Sequence, residues 1–195
     1  MPHASLLRRI LACTTAVAAL LAFAAVSVAQ SLDPTLWHTD GIVYAMAGAS
    51  REHDLIAGDV FATLLAKLQP PCLAFTSDMK VRIRDASDEC YYYPDTSVTC
   101  SHLDNNRYEI TQPSLVLEVL SGSTEDADRG YKFADYKKLP SLQEYVLVHQ
   151  ERPRVEVYRR RTNWAKEVYE ADAEFALESV RVTLPVAAFY RRVTF

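Results

Sequence analysis

Two acidic residues and one lysine are the side chains of this sequence that are best placed to do chemistry. Asp95 lies in residues 92–98 (YYPDTSV), and Glu118 lies inside residues 115–120 (LVLEVL), an apolar run typical of a buried strand. A carboxylate in such a run is costly unless it is paired or binds a metal. Two acids on neighbouring strands, with Lys132 nearby, can hold a divalent cation against a phosphodiester and position the attacking water. The pattern therefore predicts a metal-dependent nuclease.

The predicted metal is Mg²⁺, with Mn²⁺ as a substitute, and Asp95 and Glu118 are its predicted ligands. Carboxylate oxygens suit Mg²⁺ because it is a hard cation that keeps several of its waters. Lys132 follows on the next helix, where it would stabilise charge on the phosphate or orient the water. Glu52 borders the apolar stripe of the first predicted helix and could supply a third acid.

Each of these side chains also has a purely structural interpretation. Glu118 could form a buried salt bridge with Arg129 or Lys132, because buried acids are rarely unpaired. Asp95 could be a turn residue after Pro94, and Lys132 a surface lysine. Glu52 could serve only the electrostatics of a helix N-terminus.

The elements that must position these residues form a mixed pattern. A hairpin is predicted over 36–46, with Asp-Gly at its turn, and Ser50 is predicted to cap a helix that ends near residue 68. A second helix is predicted over about 124–139. Period-two alternation or apolar runs predict strands over 74–84, 91–99, 114–120, 142–149 and 154–160, the third of them central in its sheet. This order predicts a single α/β or α+β domain over residues 36–195.

Composition limits the function classes. The chain has 195 residues and is 49% hydrophobic, enough for one domain with a sizeable core. Its formal charge of -4 argues against a protein that coats nucleic acid non-specifically. It does not exclude a nuclease, because a metal site is itself built from carboxylates.

The first 29 residues have the composition of a signal peptide. Arg8 and Arg9 precede a mostly apolar stretch over 10–28, and residues 26–29 (VSVA) resemble a small-residue cleavage site. The chain would be exported if this segment acts as a signal peptide. The alternative is an upstream or frame-altered start that replaces an ordinary N-terminus. No stable membrane span is expected beyond this apolar segment.

Three cysteines follow this segment, at positions 72, 90 and 100. They lack the two-residue spacing of a zinc knuckle, and buried thiols are the expectation. A Cys90–Cys100 bridge is the alternative under oxidising conditions.

Seven short pieces of the chain form an ordered set that covers about residues 40–190. They are 44–50 (YAMAGAS), 52–53 (EH), 77–82 (SDMKVR), 93–98 (YPDTSV), 116–121 (VLEVLS), 128–133 (DRGYKF) and 141–148 (SLQEYVLV). Any one of them alone would be a weak signal. Taken together and in this order, they resemble the Uma family of restriction endonucleases, within the PD-(D/E)xK nuclease superfamily.

The resemblance implies a restriction-endonuclease-like mixed sheet flanked by helices, Mg²⁺-dependent cleavage of DNA, often a homodimer, and a cytoplasmic location. Asp95 and Glu118 would be the metal carboxylates, Glu52 the helix acid and Lys132 the lysine. The superfamily pattern places lysine two residues after the second acid, where this chain has Leu120. The lysine role would therefore fall on Lys132.

Three hypotheses follow for function. The first is a Mg²⁺-dependent DNA endonuclease. The second is a catalytically degenerate nuclease fold that acts as a binding or structural module, and the third is an exported domain of unrelated function.

Overall fold

A computed structural model of the chain describes residues 36–39, 42–45, 48–85 and 89–195. The helices are α1 (Arg51–Lys67), α2 (Glu125–Arg129) and α3 (Tyr131–Tyr136). The strands are β1 (Leu36–Thr39), β2 (Ile42–Ala45), β3 (Leu73–Thr76), β4 (Lys80–Arg84), β5 (Glu89–Tyr92), β6 (Thr96–Thr99), β7 (Glu109–Ile110), β8 (Leu115–Leu120), β9 (Glu144–His149), β10 (Arg154–Arg159), β11 (Lys166–Glu170), β12 (Glu174–Leu177) and β13 (Val182–Pro185).

The strands form a large central sheet, a second sheet and a separate hairpin. The central sheet has the order β11-β10-β9-β8-β6-β3, and the second sheet has the order β2-β1-β5-β4-β7. Strands β12 and β13 pair with each other. In the central sheet β8 and β9 run parallel, whereas the other neighbours are antiparallel. The architecture is the mixed α/β fold that the sequence predicted.

Strand β8 lies inside the central sheet, and all six of its residues are buried. Its side chains alternate between two hydrophobic clusters, as the pleat of a strand requires. Leu117 and Val119 pack in the cluster that includes α1, while Val116 and Leu120 pack in the cluster that includes β4, β5 and α3. Glu118 lies on this second face, between two apolar neighbours.

Helix α1 begins where the sequence predicted. The Ser50 hydroxyl accepts a hydrogen bond from the His53 backbone N–H at 3.1 Å, which satisfies one of the donors at the helix N-terminus. Ile56, Val60 and Leu64 are buried against the central sheet. Leu65, one position after Leu64, lies off this buried face and is 62% exposed.

Two of the predicted strands are each divided in two, and the halves belong to different sheets. The predicted strand over 74–84 turns at residues 77–79, which separates β3 in the central sheet from β4 in the second. The predicted strand over 91–99 is interrupted by Tyr93, Pro94 and Asp95, which separates β5 from β6. Asp95 therefore lies where the chain crosses between sheets, immediately before β6.

The predicted helix over 124–139 is likewise divided, at Gly130. A Cβ atom at this position would lie 2.7 Å from the Asp126 carbonyl oxygen, so the chain can pass this closely only at a glycine. The break separates two acid partners, although Asp128 on α2 still binds Lys132 on α3. Arg129 on α2 binds Glu156, whereas Lys132 on α3 binds Glu118.

The cysteines differ from the prediction. Cys72 and Cys100 form a disulfide, because they lie beside the paired residues Leu73 and Thr99 of β3 and β6. Cys90 is buried in β5 of the other sheet, and the Cys90–Cys100 alternative is wrong because Cys100 is bonded to Cys72. No helix in the described part of the chain is long and apolar enough to cross a membrane. The signal-like segment lies outside the described residues.

Candidate active site

Asp95 and Glu118 lie side by side at one end of the central sheet. Strand β6 is antiparallel to β8 with Thr96 opposite Leu117, so the register brings Asp95 next to Glu118. The Val119 backbone N–H donates to Asp95 Oδ2 at 2.7 Å, and the Asp95 backbone N–H approaches Glu118 Oε2 at 3.4 Å. Backbone bonds therefore hold both carboxylates at this point.

Glu118 is buried among polar partners, with only 3% of its surface exposed. Lys132 Nζ and the Tyr136 hydroxyl both donate to Glu118 Oε1 at 3.3 Å. Burial raises the pKa of Glu118 to about 8 and outweighs the attraction of Lys132, which lowers it. Additional positive charge in the cleft would therefore favour the ionised carboxylate.

Lys132 lies between two acids and is 4% exposed. Its Nζ atom lies 2.8 Å from Asp128 Oδ1, closer than to Glu118. Burial lowers the pKa of Lys132, but the negative charges of Glu118 and Asp128 outweigh burial and raise it. The ammonium group therefore stays protonated at neutral pH. The structure agrees with the salt-bridge interpretation of Glu118 in geometry, with Lys132 rather than Arg129 as the partner.

Asp128 was not singled out from the sequence, yet it is 1% exposed and lines the same cleft. The signal that could have found it is its spacing of four residues before Lys132, which favours an ion pair on a helical segment. Tyr136 lies four residues after Lys132, and the structure brings both to Glu118.

Helix α1 contributes His53 rather than Glu52. His53 donates from Nε2 to the Val119 carbonyl at 3.0 Å, and the same nitrogen lies 3.3 Å from Asp95 Oδ2. Burial lowers the pKa of His53, but the hydrogen bond and the negative charge of Asp95 raise it by more. The net effect is a pKa above the ordinary value. Glu52 is exposed and lies outside the cleft, because successive helical residues point roughly 100° apart. The structure therefore does not bring the predicted helix acid to Asp95, Glu118 and Lys132.

The five polar side chains described above, His53, Asp95, Glu118, Asp128 and Lys132, line one open cleft of about 580 Å³. Its rim comes from loops: residues 48–50 before α1, residues 121–124 before α2, and Gln150 after β9. Arg192 closes another side. The cleft is open, and both polar and apolar side chains line it.

Comparison with known proteins identifies the family. Residues 28–187 match the model of the Uma2 family, described as "Putative restriction endonuclease". The chain belongs to the Uma2 family. Two uncharacterized proteins of Synechocystis sp. are each 36% identical to it. One alignment spans 160 residues, 80% of this chain and 83% of the relative; the other spans 124 residues, 62% and 69%.

A solved structure shows the same fold. The crystal structure of a putative nuclease belonging to DUF820 from Anabaena variabilis superposes with a TM-score of 0.66 and 18% identity. The match covers 84% of the Uma2 chain and 93% of the Anabaena chain. The resemblance and the fold class that the sequence predicted are both confirmed.

The carboxylates in the cleft of this Uma2 domain limit which metal ion could bind there. Among the described residues, no group of three or more His, Cys, Asp or Glu side chains is arranged to hold a metal ion. Asp95 and Glu118 supply two adjacent carboxylates. Mg²⁺ commonly binds through one or two carboxylates and keeps waters or substrate phosphates as its other ligands, so the pair fits Mg²⁺ better than a cation that needs an all-protein cage.

Proposed function

We propose that this chain is a metal-dependent endonuclease that hydrolyses phosphodiester bonds of DNA. One observation carries the proposal: Asp95, Glu118 and Lys132 come from three separate segments and line one cleft, with Lys132 Nζ 3.3 Å from Glu118. Membership of a family described as restriction endonucleases supports the nuclease class. Asp95 and Glu118 would hold Mg²⁺, and Mn²⁺ could replace it.

When bound, the cation would lower the pKa of a water and neutralise charge on the phosphate. The residues of the chain have complementary tasks. Lys132 keeps its proton on Nζ and presents positive charge to the phosphate. His53 and the Val119 N–H fix Asp95 Oδ2, so that this carboxylate faces the cleft in one orientation.

A homodimer, which the family resemblance implies, would present two clefts to the two strands of a duplex. Light scattering of the purified protein across a concentration series tests this part of the proposal. If the measured mass is that of one chain at every concentration, the homodimer part of the proposal is wrong.

Cleavage of DNA by the purified protein is the direct test. We expect cutting of plasmid and single-stranded DNA with Mg²⁺ or Mn²⁺ and none with EDTA. Asp95→Ala and Glu118→Ala should each abolish cutting, because each removes one of the two carboxylates. Glu52→Gln is the matched control, since it removes an exposed acid outside the cleft, and it should cut like the wild type.

A folded wild-type protein that cuts no DNA with either metal would contradict the proposal. It would favour the alternative from the sequence, a degenerate nuclease fold that binds without cleaving. Calorimetry with Mn²⁺ separates the cases, since an endonuclease binds the metal and loses that binding in Asp95→Ala.

A further inference from the structure

The disulfide between Cys72 and Cys100 ties the edge of the central sheet to its interior. Strand β3 is the last strand of this sheet, and its neighbour is β6, which follows Asp95. Cys72 precedes β3 and Cys100 follows β6, so the bond joins the two strands at the end opposite to Asp95. It closes a segment of 28 residues that contains all of β4 and β5.

The presence of the disulfide indicates the compartment in which the chain would be oxidised. Cys72 and Cys100 are both half-buried and pack against the hydrophobic cluster that includes α1. Disulfides are rare in the cytosol, where glutathione and thioredoxin keep thiols reduced. Cys90 is 2% exposed, so it is shielded from mispairing with the other two. This distribution suits an oxidising compartment.

The N-terminal sequence indicates export by a separate line of evidence. Its basic pair, apolar stretch and small residues at 26–29 have the order of a secretory signal peptide. The family match begins at residue 28 and the first described strand at Leu36, so cleavage after Ala29 would remove no part of a described element. Cleavage would also remove Cys13 and leave three cysteines, of which two pair.

We infer that this protein is exported, cleaved after Ala29 and oxidised at Cys72 and Cys100. On oxidation the Sγ–Sγ bond forms and two S–H bonds break. The two electrons and two protons go to the disulfide of a thiol-oxidising protein of that compartment, whose S–S bond breaks to give a dithiol. If the proposed nuclease function also holds, the substrate is nucleic acid outside the cytoplasm.

The test expresses the full chain with its own leader in a bacterial host that has a periplasm. Cells are quenched in acid, fractionated, and treated with an alkylating reagent under denaturing conditions before intact-mass measurement. We expect a periplasmic chain that begins at Gln30 and carries one alkyl group, on Cys90, because Cys72 and Cys100 are bonded. After reduction the same chain should carry three.

A leader variant supplies the matched control. Leu20→Arg combined with Leu21→Arg interrupts the apolar stretch and leaves residues 30–195 unchanged. This variant should remain in the cytoplasm at full length, with every cysteine open to alkylation. Mass spectrometry of unreduced tryptic peptides checks the pairing in the wild type without a cysteine substitution that could prevent folding.

Two results would overturn the inference: a wild-type chain that stays full length in the cytoplasm, or a processed chain whose Cys72 and Cys100 are both alkylated without reduction. None of these readouts depends on DNA cleavage. A processed, oxidised protein that does not cut DNA would therefore count against the nuclease alone, and an active cytoplasmic nuclease would count against export alone.

Discussion

Asp128 approaches Lys132 more closely than Glu118 does, and all three side chains are buried. Lys132 Nζ is shared between these two buried acids, and Asp95 lies beside Glu118. Buried ion pairs of this kind often contribute little to stability when compared with apolar residues of the same volume. If the proposed nuclease function holds, Asp128 would position Lys132 Nζ beside Glu118, where the phosphate and cation would meet.

Replacing Asp128 with asparagine tests this positioning role. Asp128→Asn keeps the shape of the side chain but weakens its attraction for the lysine ammonium group at 2.8 Å. We expect kcat to fall about 10- to 100-fold, as for outer partners of catalytic ligands, while KM and Mn²⁺ affinity change little. Steady-state cleavage kinetics and calorimetry measure these quantities.

Asp126→Asn is the control for Asp128→Asn, because Asp126 lies on the same short helix but is exposed. It should keep wild-type kinetics. Equal losses in the two variants, or a loss of folding in Asp128→Asn without a change in kcat per folded molecule, would refute the positioning role.

At the scale of elements, the break between α2 and α3 decides which side chains enter the cleft. A continuous helix would rotate by roughly 100° per residue and keep Arg129, Lys132 and Tyr136 on one face. Gly130 interrupts this helix, so Arg129 turns to Glu156 while Lys132 and Tyr136 turn to Glu118. The glycine thus separates a structural ion pair from the candidate active site.

Gly130→Ala should therefore damage both stability and activity. Its Cβ would meet the Asp126 carbonyl oxygen at 2.7 Å, so the backbone must shift, and overpacking of this kind costs about 1–3 kcal/mol. The shift would also move Lys132 away from Glu118. Urea denaturation measures the first effect and DNA cleavage the second.

Gly122→Ala is the matched control for stability, because a Cβ there has nothing within 4 Å. It should leave the free energy of unfolding unchanged. An alanine at 130 that stabilises the protein would show that the close approach to Asp126 does not exist in solution.

At the scale of the whole molecule, a buried network joins α2 to the two strands β9 and β10. Arg129 makes two bonds to Glu156, and His149 and Tyr158 also bind this carboxylate. Burial alone would raise the pKa of Glu156, but its bonds from His149, Arg129 and Tyr158 hold the pKa well below the usual range. The network connects the sheet to the helical segment that carries Asp128.

This network predicts a sensitivity to acid. A carboxyl group whose pKa is lowered in the folded state contributes stability above its unfolded pKa of 4.5, and that contribution is lost as the pH falls toward the folded value. The free energy of unfolding should therefore decrease as the pH falls below about 5. Urea titrations between pH 7 and pH 3 measure the slope.

Glu156→Gln should be less stable at pH 7 and should show a shallower slope in acid. Glu151→Gln, which changes an exposed acid in the turn between β9 and β10, should keep the wild-type slope. If the free energy of unfolding falls equally steeply with pH in the wild type, Glu156→Gln and Glu151→Gln, other acids control the loss of stability.

The sequence by itself determined the features that depend on local pattern. Ser50 at the start of α1 and the apolar run of β8 are set by capping chemistry and by burial, and the structure has both where they were predicted. The ordered motifs determined the family. An acid inside an apolar strand requires a partner, and Lys132 lies 3.3 Å from Glu118. The catalytic roles of Asp95, Glu118 and Lys132 stay a prediction.

Only the tertiary structure decided the features that depend on contacts between distant segments. The strand interruption at Asp95 and the turn after β3 assign neighbouring stretches to different sheets, and alternation along the sequence does not reveal such a crossing. The choice of His53 over Glu52 depends on the rotation of α1 against the sheet. The pairing of Cys72 with Cys100 depends on the register of β3 and β6. Each of these is a relation between two elements, and a pattern within one element cannot specify it.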